Sequence, residues 1–379
     1  MLQRLYVDNF RCMVNFECHF EGPARLIVGR NGVGKSTIFD VLALLRDFCV
    51  AGEFVEGRFG GLTRNRWQDV KEQSFELDVQ GNGGNYKFRL VLDSAGNPER
   101  SRVVTEEVHF SGRPIFWFKQ GEVHLFNDRH EDKVQYPFDW HRSALATVTE
   151  RRDNTRLSWF KRWLGGLLCV SPDPWRMSGV AAGEVRSPDQ HLTNFADWFR
   201  HLRQETEDHE YIKDLSEAID GFLGMRLEDA GERRREIKVR MSEPTPSRQG
   251  IEYTIQEQGI EYTIQELSEG QRVLIGLYAA LHFALKRGTT VCFDEPDNFI
   301  ALAEVQPWLS KVLDRTQEEH DCQVLIVSHH PELLNRMAFH EGLLFDRPEG
   351  RHVRVRPFGD PAETELSAAE LVMRGWERE

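Results

Sequence analysis

Long apolar runs are missing from this sequence. No stretch approaches the ~20 consecutive apolar residues that a helix needs to span a bilayer. The start, MLQRLYVDNF, shows neither the basic n-region nor the apolar h-region of a signal peptide, and it alternates like a strand. A cytoplasmic chain with no membrane partner is therefore expected. Paired cysteines are missing too. Cys12, Cys18, Cys49, Cys169, Cys292 and Cys322 are scattered without any C-x-x-C spacing, which argues against a zinc site or a disulfide framework and for free thiols in a reducing compartment. Cys292, inside an apolar strand, reads as core. An excess of positive charge is also absent. With 48 Lys and Arg against 61 Asp and Glu, the net charge of −13 does not suggest a protein that coats nucleic acid through its global field. The local cluster Arg233, Arg234, Arg235, Lys238 and Arg240 reads first as a solvated strand face and its approach, with DNA contact as the other reading.

What is present is an ordinary globular composition, 40% hydrophobic and 29% charged, over 379 residues, enough for two or three lobes. The first segment reads as strand (Leu5 to Val7), turn, strand (Asn15 to Phe20), then a buried strand Arg25 to Val28. A glycine-rich loop and an apolar helix from about Ser36 to Phe48 follow. Beyond Gly61, alternating segments at Ser74 to Val79, Tyr86 to Leu92, Val103 to Phe110 and Ile115 to Phe118 predict an antiparallel meander. Gly81-Asn82-Gly83-Gly84-Asn85 is a hairpin signal between the first two. From about Glu150 the character turns helical, with Leu192, Phe195, Trp198, Phe199 and Leu202 on one face, and Ile212, Leu215, Ile219 and Phe222 on another. Such stripes are core. No heptad run is long enough for a coiled-coil arm. Strand-like alternation returns at Ile237, Val239 and Met241, and the last third alternates helix and strand as parallel α/β structure does. The expected division is an N-terminal lobe over 1–149, a mainly helical insertion over 150–245 and a C-terminal lobe over 246–379.

Three motifs carry chemistry. Gly29-Arg30-Asn31-Gly32-Val33-Gly34-Lys35-Ser36-Thr37 fits G-x-x-x-x-G-K-[ST], after a buried strand and before an apolar helix. Its glycines let backbone N–H groups face phosphates, and the helix N-terminus adds its positive dipole end. Asn31, Gly32, Gly34, Lys35, Ser36 and Thr37 are thus candidate ATP-binding residues. Lys35 would reach the β- and γ-phosphates, and the Ser36 hydroxyl would bind Mg²⁺. Thr290 to Glu295 is an apolar strand ending in two carboxylates. Asp294 would hold Mg²⁺ through water, and Glu295 would polarise the attacking water. Leu267-Ser268-Glu269-Gly270-Gln271-Arg272 opens a third element, an apolar helix to about Leu285. A Ser hydroxyl and a Gly N–H at a helix N-terminus suit a γ-phosphate, although Ser268 and Gln271 also spell a capping box.

This last segment closely resembles the L-S-G-G-Q signature of ABC ATPases. Glu295-Pro296-Asp297-Asn298 is similar to their D-loop, and Val324 to Pro331 resembles the strand that ends in their switch histidine, with His329 preferred over His330. The motifs occur in the ABC order. Asp8-Asn9-Phe10-Arg11 resembles the opening of RecF, SMC and OLD-family ATPases, in which the arginine lies near the nucleotide. The ending Ser-His-His-Pro-Glu-Leu-Leu-Asn is similar to bacterial AAA-type ATPases of anti-phage defence operons. The resemblance covers both ends of the chain and leaves 150–250 without a motif. It departs from the pattern in two ways: no Q-loop glutamine stands out among Gln68, Gln73 and Gln120, and no Toprim-like nuclease follows the ATPase.

The resemblance implies an α/β ABC-type head with a β meander, a short helical insertion and no long coiled coil. It implies an Mg²⁺-dependent ATPase that closes as a homodimer on two nucleotides, with Ser268, Gly270 and Gln271 completing the partner's site. Catalysis would fall to Glu295, His329 and Lys35. The leading expectation for its role is control of a separately encoded effector, in phage defence. The alternatives are a RecF-like DNA repair ATPase that contacts nucleic acid, and a scaffold that holds ATP with little hydrolysis.

The sequence also contains a direct duplication. Gly250-Ile-Glu-Tyr-Thr-Ile-Gln-Glu-Gln258 is followed at once by Gly259-Ile-Glu-Tyr-Thr-Ile-Gln-Glu-Leu267. Nine is odd, so a straight strand through both copies would turn one apolar face to water, and a turn or bulge near Gly259 is expected. Only the second copy joins the signature segment. Deleting Gly250 to Gln258 is therefore predicted to leave a soluble protein with its basal ATPase rate. An insoluble or inactive product would show that both copies belong to the core.

Overall fold

The structure, a computed structural model, describes residues 1–59, 63–93, 101–205, 208–242, 259–286, 288–319, 321–347, 351–359 and 366–375. The first copy of the duplication lies outside them. The chain forms two compact units, one of Met1–Cys169, Arg287–Cys292 and Thr316–Glu379, the other of Val170–Lys286 and Phe293–Arg315. Among the described residues no helix exceeds 17 residues and none is long and apolar enough to cross a membrane.

The first unit begins with strands β1 (Leu2–Asp8), β2 (Phe16–His19) and β3 (Ala24–Gly29), then helix α1 (Lys35–Arg46) and the short α2 (Val55–Arg58). Next come β4 (Glu72–Gly81), β5 (Gly84–Asp93), β6 (Arg102–Phe110), β7 (Arg113–Lys119), β8 (Glu122–Phe126), β9 (Asp132–Pro137), helix α3 (Thr155–Gly166) and β10 (Leu168–Val170). The second unit holds β11 (Val180–Ala181), α4 (Phe195–Glu205), α5 (His209–Ala218), β12 (Phe222–Asp229), β13 (Arg235–Met241), β14 (Ile260–Thr263) and α6 (Glu269–Ala279). The remainder is β15 (Thr290–Asp294), α7 (Leu302–Glu318), β16 (Gln323–Val327), α8 (Pro331–Glu341), β17 (Gly342–Asp346), β18 (Arg354–Pro357) and α9 (Ala368–Arg374).

The meander is an eight-stranded sheet in the order β2-β1-β4-β5-β6-β7-β8-β9, antiparallel at every pairing. Its β4–β5 hairpin turns on Asn82 and Gly83 at φ 48° and 77°, the left-handed pair that a two-residue turn requires. The same device, Gln120 and Gly121 at φ 53° and 84°, makes the β7–β8 hairpin. The second sheet runs β10-β15-β16-β3-β17-β18, with β3 parallel to both β16 and β17. Strand β3 is buried almost throughout, as a central parallel strand must be. The core of this unit lies under one face of the meander. Leu5, Val7, Phe75, Leu77, Phe88 and Leu90 meet Ile38, Phe39 and Leu42 of α1 and Leu157, Phe160 and Leu164 of α3.

In the second unit β13 is the central strand. It pairs along its length with β12 on one edge and shares the other between β11 and β14. Two of its three basic residues are paired locally: Lys238 with Glu236 at 2.7 Å, and Arg235 with Asp229 at 3.2 Å. That is the solvated strand face. The two helices are shorter than their apolar stripes, one at its start and the other at its end. Leu192 precedes α4 with φ 57°, and α5 stops at Ala218 because Gly221, at φ 77°, turns the chain into β12. The second copy of the duplication is a strand only to Thr263. There the Thr263 hydroxyl and the Glu266 carboxylate form a capping box over a 3-10 turn, Ile264–Glu266, which leads to Ser268 at the head of α6.

One buried acid in the first unit sets a pH dependence. Glu106 on β6 accepts from the Ser143 hydroxyl, from Ala144 N at 2.9 Å and from Leu145 N at 3.3 Å. The Cys49 thiol, in the π-turn Asp47–Ala51 that ends α1, also bonds to it. Burial outweighs these donors and pushes its carboxyl from 4.5 up to about 7. A raised acid pKa means that the folded chain keeps a proton the unfolded chain releases. Its contribution to stability is present below pH 4.5 and is lost as pH rises through 7. At about 1.4 kcal/mol per pH unit, that window is worth about 3 kcal/mol. Glu106→Gln should therefore gain on the wild type by about 3 kcal/mol between pH 4.5 and 7.5 in denaturant titrations. Parallel pH profiles for the two proteins would refute this reading.

Candidate functional site

The glycine-rich loop leaves the C-terminal end of β3 and enters α1. Gly34 is the helix N-cap in the left-handed region, φ 103°, and a Cβ there would lie 2.6 Å from the Cys12 sulfur. Gly29 is equally constrained, because a Cβ would meet the Phe345 carbonyl oxygen at 2.4 Å across the β3–β17 pair. Gly32 has φ 80° with open space where a Cβ would stand, so there the requirement is conformational. Lys35 is buried, its ammonium donating to the carbonyls of Gly29 at 2.7 Å and Arg30 at 3.0 Å. An ammonium held by two loop carbonyls is ready to exchange them for phosphate oxygens. Ser36 and Thr37 occupy the first turn of α1, and Asn31 is exposed at the loop's outer bend.

Arg11 stands beside this loop. It has φ 46°, forms an ion pair with Asp40 one turn into α1, and precedes Cys12, whose thiol approaches Thr37 Oγ1 at 3.9 Å. The segment Thr63 to Val70 is tied to it. Arg11 N donates to Thr63 O at 2.7 Å, and Asn65 Nδ2 donates to Arg11 O at 2.6 Å. The three glutamines now separate. Gln73 is committed to Asn9 O at 3.0 Å, and Gln120 sits in the β7–β8 turn. Gln68, in the tied segment, keeps its amide nitrogen buried without a hydrogen-bond partner.

Strand β16 runs parallel to β3 in the register Val327↔Ile27, so Ser328 and His329 emerge at the same end of the sheet as the glycine-rich loop. The two histidines differ. His330 is the N-cap of α8, its Nδ1 accepting from Glu332 N at 3.2 Å. His329 is half-buried and makes no cap.

Asp294 ends β15 and is buried; Glu295 follows with φ 48°. A non-glycine residue there is strained, and its neighbour holds it: Asn298 Nδ2 donates to Glu295 Oε2 at 2.9 Å and Asn298 N to its carbonyl at 3.2 Å. The adjoining Asp297 keeps one buried carboxylate oxygen without a hydrogen-bond partner. In the same unit Ser268 caps α6, accepting from Gln271 N at 3.3 Å, while the Gln271 side chain returns to Ser268 N at 3.0 Å. The cap uses the hydroxyl only as an acceptor, so its proton remains available to a ligand oxygen. Gly270 has a steric reason: a Cβ would stand 2.9 Å from the Phe299 carbonyl, so the signature turn lies directly on the chain after Asn298. Arg11, the glycine-rich loop and His329 thus share one unit; Ser268, Gly270, Gln271, Asp294 and Glu295 share the other.

Residues 26–335 match the family described as "AAA domain, putative AbiEii toxin, Type IV TA system". The match spans most of the chain, and the chain belongs to this AAA family. Two solved structures are similar. The SMC head domain from Thermotoga maritima shares 14% identity over 94% of this chain and 98% of that one, with a TM-score of 0.44. An SMC head crystallised with the C-terminal winged-helix domain of ScpA shares 12% identity over 94% and 97%, with a TM-score of 0.51. At that identity the second shows the fold alone, the ABC-type ATPase head. No curated protein sequence matches the chain. The architecture is that of an ATP-binding P-loop ATPase.

Proposed function

We propose that this chain is an Mg²⁺-dependent ATPase of the RecF/SMC/OLD-like kind, which closes as a homodimer on ATP and thereby controls a separately encoded effector in the cytoplasm. The observation that carries it is the parallel β3–β16 pair, which brings a complete phosphate loop and a half-buried histidine to one end of a sheet, where ligands of open α/β sheets bind. Asn31, Gly32, Gly34, Lys35 and Thr37 would cradle the phosphates, with Arg11 beside them. Ser36 and Asp294 offer Mg²⁺ only oxygen ligands. That suits a hard cation which takes one or two protein groups and completes its shell with phosphate and water. When bound, the ion would neutralise charge on the phosphates. Glu295, oriented by Asn298, would accept a proton from the attacking water, and His329 would hydrogen-bond the γ-phosphate end. Ser268, Gly270 and Gln271 would serve the partner's nucleotide.

In this scheme 1–149 and 246–379 are the two ATPase lobes, and 150–245 is the insertion that meets the effector. The family description names a toxin of a type IV toxin–antitoxin system. That supports a two-component arrangement of defensive character. The local pairing of Lys238 and Arg235 with acids speaks against the DNA-repair alternative.

Glu295→Gln keeps size and removes the charge. It should bind ATP, accumulate as a closed dimer and turn over roughly 10²-fold more slowly; unchanged turnover would remove Glu295 from this role. The shared site has its own test. Lys35→Ala should lose nucleotide binding, and Ser268→Arg should bind ATP without dimerising around it. Mixing the two variants should restore part of the activity, because one composite site then lacks both defects. Normal hydrolysis by Ser268→Arg alone would contradict the trans arrangement.

A further inference from the structure

The two copies of the duplication are identical over eight residues, Gly250 to Glu257 and Gly259 to Glu266. The second copy fills a place in the β12–β13–β14 sheet whose demands are specific. A Cβ at Gly259 would stand 2.6 Å from Met241 O, so the strand must enter through glycine. Ile260 to Thr263 then pair with Met241 to Lys238. Glu261 accepts from Arg226 Nε and Nη2, each at 2.9 Å. Ile264 is fully buried, and Glu266 closes the capping box on Thr263. The Gln265 side chain fills the space that a Cβ on Gly179 would need.

The first copy meets every one of these demands. Gly250 matches Gly259, Glu252 matches Glu261, Ile255 matches Ile264, and Thr254 with Glu257 matches the capping pair. Sliding a strand by nine residues, an odd number, would ordinarily turn its apolar face to water. Here the sequence repeats with the period of the slide, so each side chain is replaced by its double. The copies part only at the ninth position, Gln258 against Leu267. Leu267 is 7% exposed, and its carbonyl accepts from Arg272 Nε at 3.0 Å. The second copy is therefore selected by its junction with the signature helix, and the strand itself makes no choice.

We propose that the duplication is a register switch: the edge of β13 that carries β14 accepts either copy, and the choice sets whether the signature turn is docked. With the second copy in place, the 3-10 turn leads directly to Ser268. With the first copy in place, the same strand, ion pair and capping turn form, and residues 259–267 become slack between that turn and Ser268. Leu267 then leaves its buried position, and the head of α6 loses its tether to the sheet. Burial of a leucine side chain favours the docked register by about ten- to a hundred-fold, and closing the extra loop adds to that preference. The exchanged register is thus a minor state, which a binder of the freed segment would draw out. Its effect on hydrolysis rests on the signature reading above; its existence rests on the strand register alone.

Disulfide trapping in the full-length protein reads the two registers separately. Arg240 pairs with Glu261 in the docked register and would pair with Glu252 in the exchanged one. Arg240→Cys with Glu261→Cys should crosslink readily under mild oxidation. Arg240→Cys with Glu252→Cys should crosslink within one chain at least about ten-fold more slowly. Adding Leu267→Gln, which erases the difference between the copies, should speed this second crosslink about ten-fold. Adding Ile255→Asp, which would place a charge in the buried position of Ile264, should abolish it and leave the Glu261→Cys crosslink unchanged. A Glu252→Cys crosslink that never forms, or that ignores either added substitution, would overturn the switch. The oxidised Arg240→Cys, Glu252→Cys protein should also lose ATP hydrolysis and regain it with dithiothreitol. Trapped exchange that leaves hydrolysis untouched would overturn the link to the signature turn. A wild type without ATPase activity would sink the ATPase reading instead, and the crosslinks would still decide the register.

Discussion

Gln323 opens β16 with its side chain fully buried, and it bonds to the first strand of the other sheet of its unit. A primary amide can make four hydrogen bonds, and here every one is made. Its oxygen accepts from Leu2 N at 2.9 Å and from the Thr290 hydroxyl at 3.2 Å; its nitrogen donates to Leu2 O at 2.9 Å and to Gly22 O at 3.3 Å. Leu2 belongs to the meander, Thr290 to the neighbouring strand β15 and Gly22 to the entry of β3. An apolar side chain could fill the space. It would leave the Leu2 amide and carbonyl buried and unpaired, at about 1–3 kcal/mol for each group. The amide therefore fixes where the meander begins relative to the strand that feeds the phosphate loop. Everything downstream in that unit, including the approach of Cys12 to Gly34, inherits that placement.

The parts of this structure that were legible in the sequence are those whose physics is local. The phosphate loop needs glycine at Gly32 and Gly34 because of backbone conformation, and a period-two pattern with Asn82-Gly83 between its arms has few outcomes besides a hairpin. The β8 and β9 strands could have been found the same way, from Val123 and Leu125, from Val134 and Tyr136, and from the Gln120-Gly121 turn. What stayed hidden depends on residues far apart in the chain. Nothing near Gln68 separates it from Gln73; the difference is that Gln73 is spent on Asn9 O, 64 residues away. The rings of Trp67 and His352 meet from distant parts of the chain, and no periodicity joins them. Helix ends were misjudged for a related reason. Ile219 and Phe222 continue the apolar stripe of α5, but that stripe is only a burial pattern, and the left-handed Gly221 redirects the chain while leaving both side chains buried.

Strain is distributed unevenly. Asn9 and Arg11 after β1, and Glu295 and Phe299 after β15, all hold left-handed backbone conformations that cost non-glycine residues of order 1–3 kcal/mol each. Both clusters fall where the candidate chemistry lies, and each is over-determined by its neighbours. Asn65 and Thr63 hold Arg11 through its backbone, and Asn298 holds Glu295 through both carboxylate and carbonyl. A relaxed Glu295 would aim its carboxylate elsewhere, so the bond from Asn298 is best understood as setting a direction.

The second unit shows how such a direction can be shared. A partly buried charge network crosses three of its helices: Asp214 of α5 accepts from Lys311 of α7 at 2.6 Å and meets His282, in the π-turn that ends α6, at 2.9 Å. Desolvation lowers the pKa of His282 against the pull of Asp214, which favours a neutral ring within a hydrogen bond over a second full ion pair. Tyr211 of α5 adds a bond from its hydroxyl to Ile275 O on α6 at 3.0 Å. Asp214 is the member of this network that both other helices share, since Lys311 also reaches Glu217 at 3.1 Å, so losing its carboxylate would loosen α5 from both α6 and α7. At its other end, α6 begins with Ser268 and Gly270, and Gly270 rests on the Phe299 carbonyl just before α7. The signature turn and the chain that follows Glu295 are thus clamped together at both ends of the same helix pair. A displacement of Glu295 can leave Ser268 behind only by opening the Gly270–Phe299 contact or by breaking the charge network.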